Sequence, residues 1–508
     1  MFEVRERCGL GRRGILRLRH GKVETPALMP VINPLDVVVS PAEMVKIGAS
    51  LLMTNAYIIM RHFGESAVER GVHGILGHEG PVMCDSGGFQ ILRYGEIDVS
   101  DEEMVRYQES IAPDIATILD VPTGIDVSRE RAEWTVRETL RRARRAVAIR
   151  SNPDVLWCGP VQGGLFTDLV VESAREIGKM EYHVHAVGSP VELMEGYRFA
   201  ELVDLVMAAK LNLPPDRPVH LFGAGHPMML SLAVLMGCDL FDSAAYALYA
   251  RDGRYMTVDG TYMLDDLREL PCACPVCSST SPEELRSSPS AERTRLLALH
   301  NLHVTFAELR AIRQAISEGS LWELVQRRCA AHPRLLGGLR RLMGHSVAIE
   351  EFDPVSKRSA FFYLGEESAR RPEVTRHSRL FRERYEPEPR RTLLLLPCFE
   401  FERVSPLDPE NTHLVRVMPV FGAVPEELEE IYPLSQFQVP DQPDDQALRT
   451  AAESLRDYLT RFGDRYDEIV LLNDDRWGDL LLRACAPVEK KLRVREGGEN
   501  FFRKNINK

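Results

Sequence analysis

No uninterrupted apolar run of the about 18 residues that a membrane-spanning helix requires occurs in this 508-residue sequence. The N-terminal stretch MFEVRERCGLGRR follows its charges with no apolar segment of the kind that heads a secretory signal. These two absences speak against membrane and secreted classes, and a soluble cytoplasmic protein is expected. Cysteine is sparse: ten residues are too few for a disulfide scaffold in a chain of this length, so their clustering matters more than their total. Positive charge is in deficit, with 63 Lys and Arg against 75 Asp and Glu and a net charge of −12. That excludes a protein that coats nucleic acid by bulk charge, while local basic patches remain able to bind phosphates. GAGHP (223–227) lacks the G-x-G-x-x-G spacing and the later acid of a dinucleotide site. What is present is ordinary: 44% hydrophobic and 27% charged residues, globular proportions that can bury a core. At about 150 residues per domain the length suggests two to four domains.

Between residues 27 and 247, eight short apolar runs alternate with stretches of helical period: ALMPV, LLMTNAY, VMCDS, IATILD, DVLWCGPVQG, YHVHAVG, PVHLFGAG and LFDSAAYA. Segments 102–112, 128–150 and 189–209 among the connections read as amphipathic helices. Eight such units predict an α/β fold, a (β/α)8 TIM barrel, with an open doubly wound sheet as the alternative. The barrel is favoured because Asp85, Asp120, Gln162 and Asp242 recur at the C-terminal ends of the strands, where barrel enzymes place their chemistry. A zinc-binding insertion at about 265–320 completes a first domain over 1–350. Residues 351–389, rich in charge and proline, are expected to be a linker, and 390–508 a smaller α+β C-terminal domain.

Cys272, Cys274 and Cys277 form C-x-C-x-x-C, and a histidine on a predicted helix downstream would complete a tetrahedral site. Three thiolates and one imidazole leave no position open for water, so the site is structural. His300 and His303 compete for the fourth position, since both suit one helix face. In CDSGGFQ, Asp85 precedes two glycines that permit close approach of a ligand, and Phe89 offers a flat apolar wall. Asp120 in ILDVPTG is as well placed to cap a turn as to bind. Gln162 in VQGG has the amide that reads the polar edge of a base. Carboxylates converging on one barrel mouth suit glycosidic chemistry.

Together CDSGGFQ, ILDVPTG, VQGG, HLFGAGHP, DLFDSAAYALYARDGRY and the cysteine motif with HNL resemble the tRNA-guanine transglycosylases. The resemblance is greatest to their archaeal branch, through VMPVFGAVPEELEEIYPLSQ (417–436). It implies replacement of guanine at position 15 of the tRNA D-loop by 7-cyano-7-deazaguanine, the first step of archaeosine formation. Asp242 would be the nucleophile that holds the ribose as a covalent ester, and Asp85 the general acid/base. Asp120 and Gln162 would bind the base edge, together with backbone groups at Val184, His185 and Ala186, while Phe89 and Phe222 would sandwich the ring. The family's fourth zinc ligand corresponds to His300, with one structural Zn2+ per subunit, and a homodimer is expected.

The sequence departs from the archaeal pattern in one respect: no PUA domain is expected after APVEKKLRVREGGENFFRKNINK, so either a separate PUA-domain protein supplies that function or tRNA binding relies on what remains. The paralogous archaeosine synthase carries PC-x3-KPY-x2-S-x2-H, of which only Pro397 and Cys398 stand here. A bacterial-type wobble-position enzyme would end soon after the zinc helix, and a non-catalytic subunit would not need both Asp85 and Asp242. Arg137, Arg141, Arg142, Arg144, Arg145 and Arg150 suit either phosphate contact or a solvated face. The basic tail, with Lys490, Lys491, Arg493, Arg495, Arg503 and Lys504, leans towards RNA.

Overall fold

The protein is described here from a computed structural model that covers residues 2–88, 98–399 and 404–495 and the backbone of 502–503. The chain divides into two compact units, Met1–Leu342 and Met343–Lys508.

The first unit opens with a three-stranded antiparallel sheet (Phe2–Cys8, Gly11–Leu18, Gly21–Thr25), which the strand pattern from residue 27 onward did not include. Eight parallel strands follow: β1 (Ala27–Pro30), β2 (Leu52–Asn55), β3 (Val82–Asp85), β4 (Ile115–Thr117), β5 (Leu156–Val161), β6 (Val184–Val187), β7 (Val219–Leu221) and β8 (Leu240–Ser243). Each neighbours the next, β8 pairs back onto β1, and a parallel bridge between Val31 and Met53 links the β1 and β2 edges. This is the expected (β/α)8 barrel. Its strands are short apolar runs because both faces are buried. Met29, Met53, Met83, Ile115, Cys158, Val184, Ala186 and Leu240 fill the interior.

The connecting helices follow from amphipathic spacing and capping. In the sequence order used here they are α1 (Ala56–Leu76), α2 (Asp101–Ile111) and α3 (Arg129–Ile149). Helix α2 starts with a capping box, in which the Ser100 hydroxyl accepts from the Glu103 N–H while the Glu103 carboxylate accepts from the Ser100 N–H. Helix α3 buries Ala132, Val136, Leu140 and Ala143, a stripe at three- and four-residue spacing. The segment expected as one helix over 189–209 is two, Val191–Glu195 and Phe199–Lys210, separated at Tyr197, which has φ +54°.

Beyond β8 a hairpin (Arg254–Met256, Thr261–Met263) leads to the cysteine segment and then to α4 (Ser290–Glu318), which ends at Gly319 in the left-handed conformation, φ +86°. Among the described residues no helix is long and apolar enough to cross a membrane.

The second unit is built on five strands in the order β11–β10–β9–β12–β13. They are β9 (Thr392–Pro397), β10 (Thr412–Met418), β11 (Gly422–Pro425), β12 (Glu468–Leu472) and β13 (Leu492–Arg495), with only the β10–β11 pair antiparallel. Residues 351–389 do not form the expected linker. Helix α5 (Pro372–Arg384) puts Phe381 into this unit's core, next to Tyr385 and to Leu455 and Leu459 of α6 (Asp445–Phe462). The charges that suggested a linker are internal. Lys357 Nζ lies 3.0 Å from Asp353 and 2.6 Å from Glu373, Arg371 reaches the same Glu373 oxygen at 2.7 Å, and all four side chains are almost inaccessible. Buried charges persist only when paired in this way.

Candidate active site and metal centre

At the C-terminal ends of the strands a cavity of about 430 Å³ opens, within the range typical of small-molecule sites. Asp85, Asp120, Gln162, Phe222 and Asp242 all line it, so the strand ends bring together five of the residues singled out from the sequence.

Asp85 is the last residue of β3 and faces Asn55, the last residue of β2. Asn55 Nδ2 donates to Asp85 Oδ2 at 2.8 Å, while its Oδ1 accepts from the Ile58 N–H at 2.9 Å and caps α1. The Gly87 N–H, 3.2 Å away, also donates to Asp85 Oδ2. The second glycine of the motif makes room: a Cβ at Gly88 would lie 2.4 Å from Asp120 Oδ1. Desolvation by the surrounding walls pushes the Asp85 carboxyl up to about 7, and the negative charges of Asp120 and Asp242 add to the shift.

Asp120 is 5% exposed, and burial likewise pushes its carboxyl up to about 6. Gln162 Nε2 donates to Asp120 Oδ2 at 2.6 Å, and Gln162 Oε1 accepts from the Thr123 N–H (3.0 Å) and the Ser189 hydroxyl (3.0 Å). The amide is therefore fixed in orientation by its oxygen and by one N–H, which leaves one N–H for a ligand.

Asp242, on β8, is held at one oxygen only. His220 Nε2 and the Gly223 N–H each lie 2.8 Å from Oδ1, and among the described residues nothing bonds to Oδ2. His220 is fully buried, its Nδ1 has no partner among the described residues, and its Nε2 faces Asp242 Oδ1. Phe222 packs edge-on against His220, with centroids 4.7 Å apart. His220 and Asn55 were missed in the sequence. Both were open to detection: alternation along β7 puts His220 on the same face as Phe222, and Asn55 stands at the N-cap of α1.

Val184, His185 and Ala186 do not line the cavity, because they occupy the first three positions of β6, short of its C-terminal end. Val184 and Ala186 fill the barrel core, the His185 N–H is bonded to Pro218 O, and the His185 side chain is fully buried within electrostatic reach of Arg217, Asp216 and Lys210. The loop that follows β6 lines the mouth instead, with Ser189 (φ +61°) and Pro190. Phe89 lies outside the described residues.

Cys272, Cys274, Cys277 and His300 converge, with ligand atoms all within 4.8 Å of one another. Cys274 Sγ lies 3.5 Å from Cys277 Sγ, and His300 Nδ1 lies 3.3 Å from Cys277 Sγ and 3.6 Å from Cys274 Sγ. These separations match the edges, roughly 3.4–3.8 Å, of a tetrahedron with metal–sulfur bonds of about 2.3 Å and metal–nitrogen bonds of about 2.0 Å. His300 Nε2 lies 2.9 Å from Met256 O, which fixes the ring with Nδ1 towards the thiols, and Tyr255 stacks on it with centroids 3.6 Å apart. The donor set fits a metal ion. His303 is not part of it.

In α3, Arg141 and Arg142 pair with Glu138, each at 2.8 Å, Arg144 with Glu176 at 2.9 Å, Arg145 with Glu102 and Arg137 with Glu133 at 3.8 Å, while Arg131 lies over the Trp134 ring. Arg150, past the helix end, meets Glu181 at 3.6 Å. This is the solvated face interleaved with acids, and it has no unpaired stripe for phosphate. In the tail, Arg493 pairs with Glu468 at 2.9 Å and Lys491 Nζ donates to Tyr466 O at 3.0 Å.

Residues 7–334 match the family described as queuine tRNA-ribosyltransferase. The chain is 47% identical over 458 residues to the tRNA-guanine(15) transglycosylase of Methanosarcina mazei, covering 89% of this chain and 90% of that one. It is 45% identical over 443 residues to the protein of the same description from Pyrococcus abyssi, covering 87% of this chain and 71% of that one.

Proposed function

The chain belongs to the queuine tRNA-ribosyltransferase family, and we propose that it exchanges guanine at position 15 of the tRNA D-loop for 7-cyano-7-deazaguanine. The observation that carries the reaction type is the carboxylate arrangement at the barrel mouth, where one acid is poised near neutrality beside another that has one oxygen bound and one free.

The free Oδ2 of Asp242 attacks ribose C1′ of the extruded nucleotide as the C1′–N9 bond breaks. The bonding pair leaves with guanine, and Asp85, protonated near pH 7, supplies the proton. His220 and the Gly223 N–H hold Oδ1, which fixes the carboxylate plane for this attack. In the return half, Asp85, now a carboxylate, removes the N9 proton of the incoming base. N9 then attacks C1′ and the ester to Asp242 breaks. Two inversions retain the anomeric configuration, and no nucleoside triphosphate is consumed because one N-glycosidic bond replaces another. Asp120 accepts from the base edge, the remaining N–H of Gln162 donates to its carbonyl, and Phe222 supports one ring face. The target guanine must leave its stack to enter the cavity.

Cys272, Cys274, Cys277 and His300 would hold a structural Zn2+, which would tie the segment after β8 to α4 away from the reacting base. The protein works in the cytoplasm as a homodimer.

Incubating transcript tRNA with labelled 7-cyano-7-deazaguanine and mapping the labelled nucleotide tests the reading. Label at position 15 supports it. Label at the wobble position, or tight tRNA binding with no label anywhere, overturns it.

A further inference from the structure

The opposite end of the barrel holds a cluster for which base exchange has no use. His20 occupies the turn between the second and third strands of the N-terminal sheet, His73 lies in the last turn of α1, and Asp114 immediately precedes β4. His20 Nδ1 and His73 Nε2 approach one oxygen, Asp114 Oδ2, at 3.1 and 3.2 Å. The three ligand atoms lie within 4.8 Å of one another, and the two rings tilt by 40° with centroids 3.9 Å apart.

Asp114 Oδ2 is oversubscribed. It already accepts the Val82 N–H at 2.9 Å, while Oδ1 accepts the His20 N–H at 2.9 Å. A carboxylate oxygen offers two lone pairs, so two imidazole nitrogens compete for the one that remains. A cation between the three side chains removes the conflict by turning both nitrogens and the oxygen into ligands. The observed 3.1 and 3.2 Å separations are close to the roughly 3.3 Å tetrahedral edge for metal bonds of about 2.0–2.1 Å.

Access and anchoring also suit an ion. The Asp114 side chain is inaccessible and held by the backbone, whereas those of His20 and His73 are 29% and 17% exposed, which leaves an open side for entry and for water ligands. His78 lies within electrostatic reach of His20, His73 and Asp114, and its Nε2 is buried with no partner among the described residues.

We propose that His20, His73 and Asp114 form a second metal site, for a divalent transition ion of the zinc, cobalt or nickel class, that pins the N-terminal sheet to the barrel floor. Two imidazoles and one carboxylate favour such borderline ions over magnesium or calcium, which take oxygen donors. His20 and Asp114 are 94 residues apart in the chain, so the ion closes a long loop, and its effect is on stability rather than on chemistry at the mouth.

The test uses the full-length protein loaded with zinc at the cysteine centre, freed of excess metal and titrated with Co2+. One further equivalent of cobalt is expected, giving visible d–d absorption without thiolate-to-cobalt charge transfer and raising the melting temperature as binding saturates. His73→Gln should abolish that equivalent and the thermal shift while zinc content is unchanged. His20→Gln, in an exposed turn, serves as the second variant should His73→Gln not fold. The proposal is overturned if zinc-loaded wild-type protein takes up no cobalt, if uptake appears only with the thiolate band, or if the variants bind cobalt as the wild type does.

Discussion

Asp239 and Asp242 stand three positions apart, at the two ends of strand β8, and their surroundings treat them in opposite ways. Asp239, at the floor, meets a guanidinium. Arg12 Nε donates to its Oδ1 at 2.9 Å, a second nitrogen of Arg12 reaches Oδ2, and the Val219 N–H donates to Oδ2 at 2.8 Å. Arg12 also donates to Arg217 O at 2.8 Å, and both side chains of the pair are essentially inaccessible. Asp242, at the mouth, has one imidazole and one backbone N–H, and no ion pair with lysine or arginine among the described residues. Its charged neighbours are carboxyls, Asp85 and Asp120, both displaced upward by burial. One end of the barrel neutralises its acids and gains stability. The other gives Asp85 and Asp242 no ion pair with lysine or arginine among the described residues, which costs stability and leaves groups able to attack carbon and move protons.

Substitutions at the two ends should therefore fail differently. The largest effect is expected for Asp242→Asn: formation of a denaturation-resistant tRNA adduct should fall by on the order of 10⁴-fold or more, with folding and free-base binding retained. Adduct formation at the wild-type rate would remove Asp242 from the chemistry. Asp239→Ala should do the reverse, since it strands a buried guanidinium. A loss of about 3–5 kcal/mol in denaturant unfolding is expected, with the mouth residues untouched. A loss no larger than that of a surface substitution would break the contrast.

A finer distinction comes from pH. With Asp85 held near 7, the first half-reaction needs its protonated form, so single-turnover adduct formation should be flat below about pH 7 and fall about tenfold per unit above it. A rate that kept rising past pH 8 would contradict that role. The sign for stability follows from the same shift. A carboxyl whose folded value is raised binds its proton more tightly when folded, so its contribution is full below the usual 3.8 and is lost as pH rises towards 7. Asp85→Asn is therefore expected to melt higher than wild type at pH 8 while losing activity. The smallest effect is predicted for Arg141→Ala on α3: less than about 1 kcal/mol in stability and no change in tRNA affinity, as expected of an exposed pair with Glu138. A clear drop in tRNA affinity would return that face to the phosphate-binding reading.

The elements legible in the sequence share a physical feature: they are specified locally. The eight barrel strands were readable because short apolar runs separated by amphipathic periods have few other uses. Asp85, Asp120, Gln162 and Asp242 were readable because they end those runs. The C-x-C-x-x-C spacing puts three thiols within reach of one ion regardless of the surroundings. Errors arose where the outcome depended on a distant partner. The backbone groups at Val184–Ala186 were placed too early along the chain, because they sit within β6 and the mouth is lined by the loop after it, at Ser189 and Pro190. Residues 351–389 looked like a linker because Lys357, Arg371, Asp353 and Glu373 are charged, and their mutual pairing inside the second unit was invisible in order of sequence. For the arginines of α3 the sequence left phosphate contact and a solvated face both open, and the choice rested on Glu102 and Glu176 from neighbouring elements.

By itself, then, the chain's pattern determined the barrel, the identity of the acids at its mouth and the make-up of the cysteine centre, because hydrophobic period and short-range spacing act over a few residues. Only the tertiary structure decided which acids are neutralised and which are left exposed to one another, which oxygen of Asp242 is free, and that His20, His73 and Asp114 meet at the floor. Those outcomes depend on distances between groups far apart in the chain, and electrostatic energy is set by such distances and by the burial around them.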